Sequence, residues 1–142
     1  MKRLLYLGLI LTLITACGDP KLEKVNNLKK EAFALHDEVM PRMGEISELS
    51  RSLKEHRKSV EADTSSTNEK QIEQIKTHVK ALDDAYEAMM EWMNHYKPEY
   101  EKEHQIDSAV VYYEEQKESI SEVKSAMEKS IEDAENLLDE LD

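Results

Sequence analysis

Apolar residues recur along most of the chain at alternating steps of three and four, the spacing that puts them on one face of an α-helix. The first run is Val25, Leu28, Ala32, Leu35 and Val39. It then slips, and Met43, Ile46, Leu53 and Val60 carry the stripe on with an extra four-residue step. The slip coincides with Pro41 and Gly44. Proline lacks an amide hydrogen and its ring crowds the preceding turn, so a kink is expected there. The pattern predicts one long helix over residues 20–62, ~60 Å at ~1.5 Å per residue, with a clean break into two helices as the alternative. Asp19 and Pro20 supply its N-cap and first position. Residues 62–68 read as a loop, and Ser66 with Glu69 has the spacing of a capping box. The second run is the most regular: Ile72, Ile75, Val79, Leu82, Tyr86, Met89, Met93 and Tyr96. It predicts a helix over 68–97, ended by Lys97 and Pro98. Residues 99–105 read as a polar connection. Asp107 or Ser108 then caps a third helix over 107–140. Its seam is Tyr113, Ile120, Val123, Met127, Ala134, Leu137 and Leu141, with Ile131 and Leu138 beside it. Three amphipathic helices joined by short connections fold up, down and up. The expected fold is all-α: an antiparallel three-helix bundle with long coiled-coil-like helices, the first kinked at Pro41.

Composition narrows this further. The 142 residues include three Gly and three Pro, too few to make the turns of a sheet fold, while 35% are charged and suit solvated helix faces. The chain length allows one domain, residues 20–142.

The first residues read as a targeting signal. Lys2 and Arg3 precede an apolar stretch over residues 4–14, too short for a bilayer, which needs about 20 residues. Ile14, Thr15 and Ala16 then precede Cys17, the single cysteine. Small residues before a lone Cys resemble the lipobox of bacterial lipoproteins. That resemblance implies removal of residues 1–16 and diacylglyceryl and palmitate-type acylation of Cys17, with residues 17–19 as the anchored N-terminus. Two or more acyl chains hold a protein on a membrane stably. The expected location is the bacterial cell envelope, on the periplasmic face or outer membrane of a Gram-negative cell.

Charge changes the list of partners. The net charge is −12. Cleavage removes Lys2 and Arg3 and no acid, leaving 17 bases against 31 acids. A body this acidic is repelled by nucleic acid. Lys21, Lys24, Lys29 and Lys30 make a local basic exception beside the anchor. They suit either anionic headgroups or an ordinary solvated helix face.

One constellation could carry chemistry. His36, Met40 and Met43 fall at i, i+4 and i+7 of the first helix, and Met89, Met90, Trp92 and Met93 lie in the second. A hairpin turning near residues 64–65 sets His36 against Met93, Met40 against Met89 and Met43 against Tyr86, with Tyr112 and Tyr113 in the same layer. Methionine fills irregular gaps of the kind a proline kink leaves, so core packing is one reading. The other is a periplasmic Cu(I) site, or a haem held by His and Met, because thioethers and imidazole select soft metals. Glu101 and His104 have the Glu-x-x-His spacing of di-iron bundles, but in a single copy. No nucleophile grouping or zinc motif is present, and long helices leave few loops to shape a pocket. No enzymatic activity is expected.

The stretches His-Asp-Glu-Val-Met-Pro-Arg-Met-Gly (36–44) and Ala-Met-Met-Glu-Trp-Met (88–93) resemble small helical lipoproteins of Bacteroidota, often labelled "viral A-type inclusion protein". The resemblance implies an envelope lipoprotein with no assigned activity and transfers no catalytic residue. The expected function is therefore a lipid-anchored structural or protein-interaction module with a partner in the envelope. Self-association through Ile131, Leu138 and Trp92 is a further expectation.

Overall fold

The computed structural model describes residues 19–62 and 68–141. The signal segment, Cys17 and Ser66 lie outside the described residues. Among those described, the chain is helical, with no strand, and three helical arms pack together.

Helix α1 spans Pro20–Val39. Asp19 caps it, its Oδ1 accepting from the Lys21 amide at 2.9 Å, and Pro20 fills a position whose amide would have no helical partner. A 3₁₀ turn, Met40–Arg42, follows, and α2 spans Met43–Ala62. The predicted single α-helix over 20–62 is thus interrupted by one tight turn. Pro41 cannot donate to the carbonyl four residues back, so the ladder shortens by one residue there. Backbone angles on both sides, at Met40 and Met43, remain right-handed helical. Gly44 takes no part in the interruption: it lies inside α2, and a Cβ built on it would meet no atom within 4 Å.

Helix α3 spans Glu69–His95 and α5 spans Ile106–Leu141. The connection between them is not wholly irregular, as predicted, but holds a one-turn helix α4, Tyr100–Glu103. α5 starts at Ile106, one residue before the predicted caps. The Asn68 side-chain amide donates to the Val60 carbonyl at 3.2 Å and ties the start of α3 to the end of α2.

α1 packs chiefly on α5, α2 packs on α3 and α5, and α3 packs on α5. Ion pairs set the α1–α5 register. Lys21 meets Asp107, Glu31 meets Lys117 at 2.5 Å and Glu38 meets Lys124 at 2.5 Å, each pair 86 residues apart. The sign of the charge reverses along α1, from lysines at its start to glutamates further on. Sliding one helix along the other would bring like charges together. Lys24 pairs with Glu114 at 2.6 Å and Lys29 with Glu101 at 2.7 Å. Of the four lysines suited by sequence to either headgroups or a solvated helix face, three are thus paired with acids of α4 and α5.

The main core runs from Ala32 and Val39 through Met43, Ile46 and Leu53 to Ile75, Leu82, Met89, Ile120, Met127 and Leu137. A smaller cluster of Val25, Leu28, Ala109 and Tyr113 closes the other end. Tyr96 packs against both. Ile131 and Trp92 are buried in the core and Leu138 packs partly against it, so these positions are not free for self-association as expected.

Gly44 gives a direct stability test. Replacing an exposed helical glycine with alanine lowers the entropy of the unfolded chain, and here nothing obstructs the methyl group. Gly44→Ala should stabilise the protein by about 0.5–1 kcal/mol in urea unfolding.

Candidate functional site

The seven residues singled out in the sequence do not share one environment. Met43 and Met89 are core residues, and Trp92 is buried beside them. Met93 packs partly against the same core. Met40 and Met90 stand at the surface, 37% and 38% exposed. The sulfurs are therefore divided between interior and solvent. His36 is brought to α3 but meets Trp92 rather than Met93, its ring stacked at 5.6 Å and 27°. Its Nδ1 lies 2.9 Å from Asp37 Oδ1. Trp92 is oriented from its other side, where Nε1 donates to the Gln116 carbonyl of α5 at 3.2 Å. Tyr86, predicted in the seam, is 39% exposed, and Ala85 takes the buried place. Among the described residues, no group of three or more His, Cys, Asp or Glu side chains is placed to hold a metal ion.

The structure assembles something larger from the same region. A chain of rings runs His104, Tyr100, Tyr112, Tyr113, Tyr96, Trp92 and His36, with successive centroids 3.8, 4.1, 5.0, 6.1, 4.8 and 5.6 Å apart. Phe33 joins it edge-on at Tyr96, 5.1 Å away. These offset and edge-to-face contacts suit the ring quadrupoles. Three elements meet through the chain: α1 supplies Phe33 and His36, α3 and the following connection supply Trp92 to His104, and α5 supplies Tyr112 and Tyr113. The sequence signal was the crowding of scarce aromatic residues into positions 92–113.

At the centre lies a polar clasp that sequence reasoning missed. Tyr113, fully buried, donates its hydroxyl to Glu101 Oε2 at 2.6 Å and accepts from the Tyr100 amide at 3.0 Å. Glu101 Oε1 accepts from Lys29 Nζ at 2.7 Å. Lys29 also lies 5.4 Å from the Tyr113 ring centroid, a cation–π contact. The clasp joins α1, α4 and α5. Its side chains are sheltered, Lys29 and Glu101 being 21% and 14% exposed, so the charges interact more strongly than at an open surface. Glu101 was set aside with His104 as a lone Glu-x-x-His; in the fold it is the acceptor that two other helices converge on.

The titration of these groups follows from burial and contacts. Burial pushes the Glu101 pKa up, but hydrogen bonds from Lys29 and Tyr113, with the lysine charge, outweigh it and leave the pKa lowered. Burial, and then the bond to Glu101, raise the Tyr113 phenol. Burial first, with the Tyr112 and Glu101 charges, lifts Tyr96 to about 12. Both phenols stay neutral near pH 7. Neither is poised as an acid or base, and the arrangement is suited to holding the α3–α5 connection in place.

Two outcomes follow. A carboxylate whose folded pKa is lowered stabilises the fold fully above its ordinary value of 4.5, and that contribution is lost as the pH falls through the folded value. Glu101→Gln should cost about 1–3 kcal/mol at pH 7. The gap to wild type should close as the pH falls from 4.5 through the lowered folded value, measured by urea unfolding across pH. For the methionines, Leu at 40, 89 and 93 conserves volume. The triple variant should lose under ~1.5 kcal/mol per buried site and leave Cu(I) competition with a chromophoric chelator unchanged. Loss of a tightly held Cu(I) equivalent would instead make the thioethers ligands. No protein-family model matches this chain, and no curated protein or solved structure resembles it.

Proposed function

We propose that this protein is a lipid-anchored helical-bundle module of the bacterial envelope that works by contact with another protein and not by catalysis. The observation that carries the reading is the sequence around Cys17: a basic start, a short apolar stretch and small residues before the single cysteine. The fold is compatible with that anchor. No helix of the described residues is long and apolar enough to cross a membrane, and α1 is capped at Asp19, two residues beyond Cys17. The bundle would then rise from the lipid with almost no tether. The resemblance of residues 36–44 and 88–93 to helical lipoproteins of Bacteroidota points the same way.

In this reading the three arms are antiparallel and the first bends at Pro41. The order of the side-chain pairs supports that path: Phe33 with Tyr96, His36 with Trp92 and Ser50 with Asp83 run in opposite senses along the two arms. The end bearing α4 would face the membrane, and the end of α2 with the start of α3 would be distal to it. The Cu(I) and haem alternatives rest on residue types alone, since Met40 and Met90 stand at the surface while Met43 and Met89 lie in the core.

The anchor is tested by expressing the full chain with Cys17→Ser in a Gram-negative host. The unmodified chain should incorporate labelled palmitate and sediment with membranes. The variant should take up no label and leave the envelope lipid fraction. Equal labelling of both chains would refute the anchor.

A further inference from the structure

Charge is spread unevenly along the bundle. Lys21 with Asp107, Glu31 with Lys117 and Glu38 with Lys124 are each 86 residues apart, so residues 19–30 of α1 lie level with residues 105–116 of α5. Together with the connection over 96–104 they make one end of the bundle. That end holds six of the 17 bases that follow Cys17 and eight of the 31 acids. The remaining 11 bases stand against 23 acids, so nearly all the net negative charge belongs to the rest of the chain. Four of the six cations pair within this end: Lys21 with Asp107, Lys24 with Glu114, Lys29 with Glu101 and Lys102 with Glu99.

The same end carries apolar surface. Among the described residues, Val111 and Leu22 are the two most exposed large hydrophobic side chains, at 53% and 44%. Tyr112, Tyr100 and His104 stack in a file there, with centroids 4.1 and 3.8 Å apart. Tyrosine rings, apolar with a polar tip, settle at membrane–water interfaces.

We infer that this end of the bundle is seated in the headgroup layer of a phospholipid bilayer, with Leu22 and Val111 inserted among the lipids. The inference rests on the reading of Cys17 as the anchor. It adds that the protein touches the membrane through its own side chains. The length of chain between anchor and fold argues for this occupant. Two steps of chain, at most ~7 Å, separate Cys17 from Asp19, the cap of α1. Leu22 is three residues beyond that cap and Val111, level with Val25, is six, so they rise ~5 and ~9 Å along the helix axis. Interfacial segments bury their apolar faces by ~5–10 Å, the same depth. Charge permits the seat: an end as acidic as the rest of the chain would be held off a membrane surface, whereas this end is close to balance.

The test uses the acylated protein purified from membranes of a Gram-negative host. Acylation consumes the single cysteine, so Leu22→Cys, Val111→Cys and Ser59→Cys each supply one thiol for a fluorescent label. Ser59 is exposed near the end of α2 and serves as the control. Each labelled protein is added to phosphatidylcholine vesicles with nitroxide on the lipid acyl chains, which quenches only labels that enter the layer. Flotation of the protein with the vesicles is scored in parallel. Labels at 22 and 111 should be quenched about fivefold more than the label at 59. High salt should leave that difference unchanged, because the contact is apolar. Leu22→Asp should roughly halve the quenching at 111, and circular dichroism verifies that this variant is folded. Flotation with equal quenching at all three positions, or with none, overturns the seat and leaves the anchor standing. A chain that does not float refutes the anchor and the seat together. Quenching that needs anionic lipid and vanishes in high salt gives the contact to the lysines and overturns the apolar seat.

Discussion

One helix holds this structure together. α5 is 36 residues long and buries Ala109, Tyr113, Ile120, Val123, Met127, Ile131, Ala134 and Leu137 along a single stripe. α1 covers the lower part of that stripe, and α2 and α3 cover the rest. α1 also reaches both the small cluster around Tyr113 and the main core, but α5 alone packs on α1, α2 and α3. Isolated amphipathic helices of this length gain most of their stability from packing, not from propensity. Without the α5 stripe, the apolar faces of α1 and of the α2–α3 pair would have nothing in common to bury against. The α1–α5 ion pairs are exposed and individually weak. Their contribution is to exclude wrong registers, through the reversal of charge along α1.

The interruption at Pro41 and the aromatic chain are linked consequences of that arrangement. A stripe with period 3.6 and a partner surface that changes from α5 to α3 need a phase change partway along the first arm. The 3₁₀ turn at Met40–Arg42 supplies it at the one place where the ladder already lacks a donor. Below that turn, α1 and α3 are bridged by large rings, Phe33 on Tyr96 and His36 on Trp92. Above it, smaller side chains suffice: Ser50 reaches Asp83 directly. The Lys29–Glu101–Tyr113 clasp then fixes the connection from which the lower rings project.

Much of this was legible in the sequence because helix periodicity is a local property. Val25, Leu28, Ala32, Val39, Met43, Ile46 and Leu53 were read as core and are core, as are Ile75, Val79, Leu82 and Met89. One error concerns α3. A strict three-four alternation placed Tyr86 and Met93 inside, but the buried face of α3 drifts to Ala85 and Trp92. A hydrophobicity pattern ranks Ala85 and Tyr86 alike; only the position of α5 decides between them. His36, expected against Met93, meets the neighbouring Trp92. The clasp was not legible. Lys29, Glu101 and Tyr113 are far apart in sequence, and each alone looks like an ordinary surface charge or core aromatic.

The same economy explains which large side chains stay partly in water. The sheltered polar groups at Glu101 and Tyr113 bond to each other and to Lys29, while the Tyr96 hydroxyl is buried with no hydrogen-bond partner. Four of the six large apolar side chains left exposed among the described residues lie along the seam of the two arms. There the rings and thioethers that bridge α1 and α2 to α3 are too large to be covered completely, so Phe33, Met40, Tyr86 and Met90 keep part of their surface in water. A three-helix bundle has no fourth helix to cover that seam. The exposed seam is thus a by-product of the constraint that built the fold: one long stripe on α5 is enough to fold the chain, but not enough to hide every large side chain.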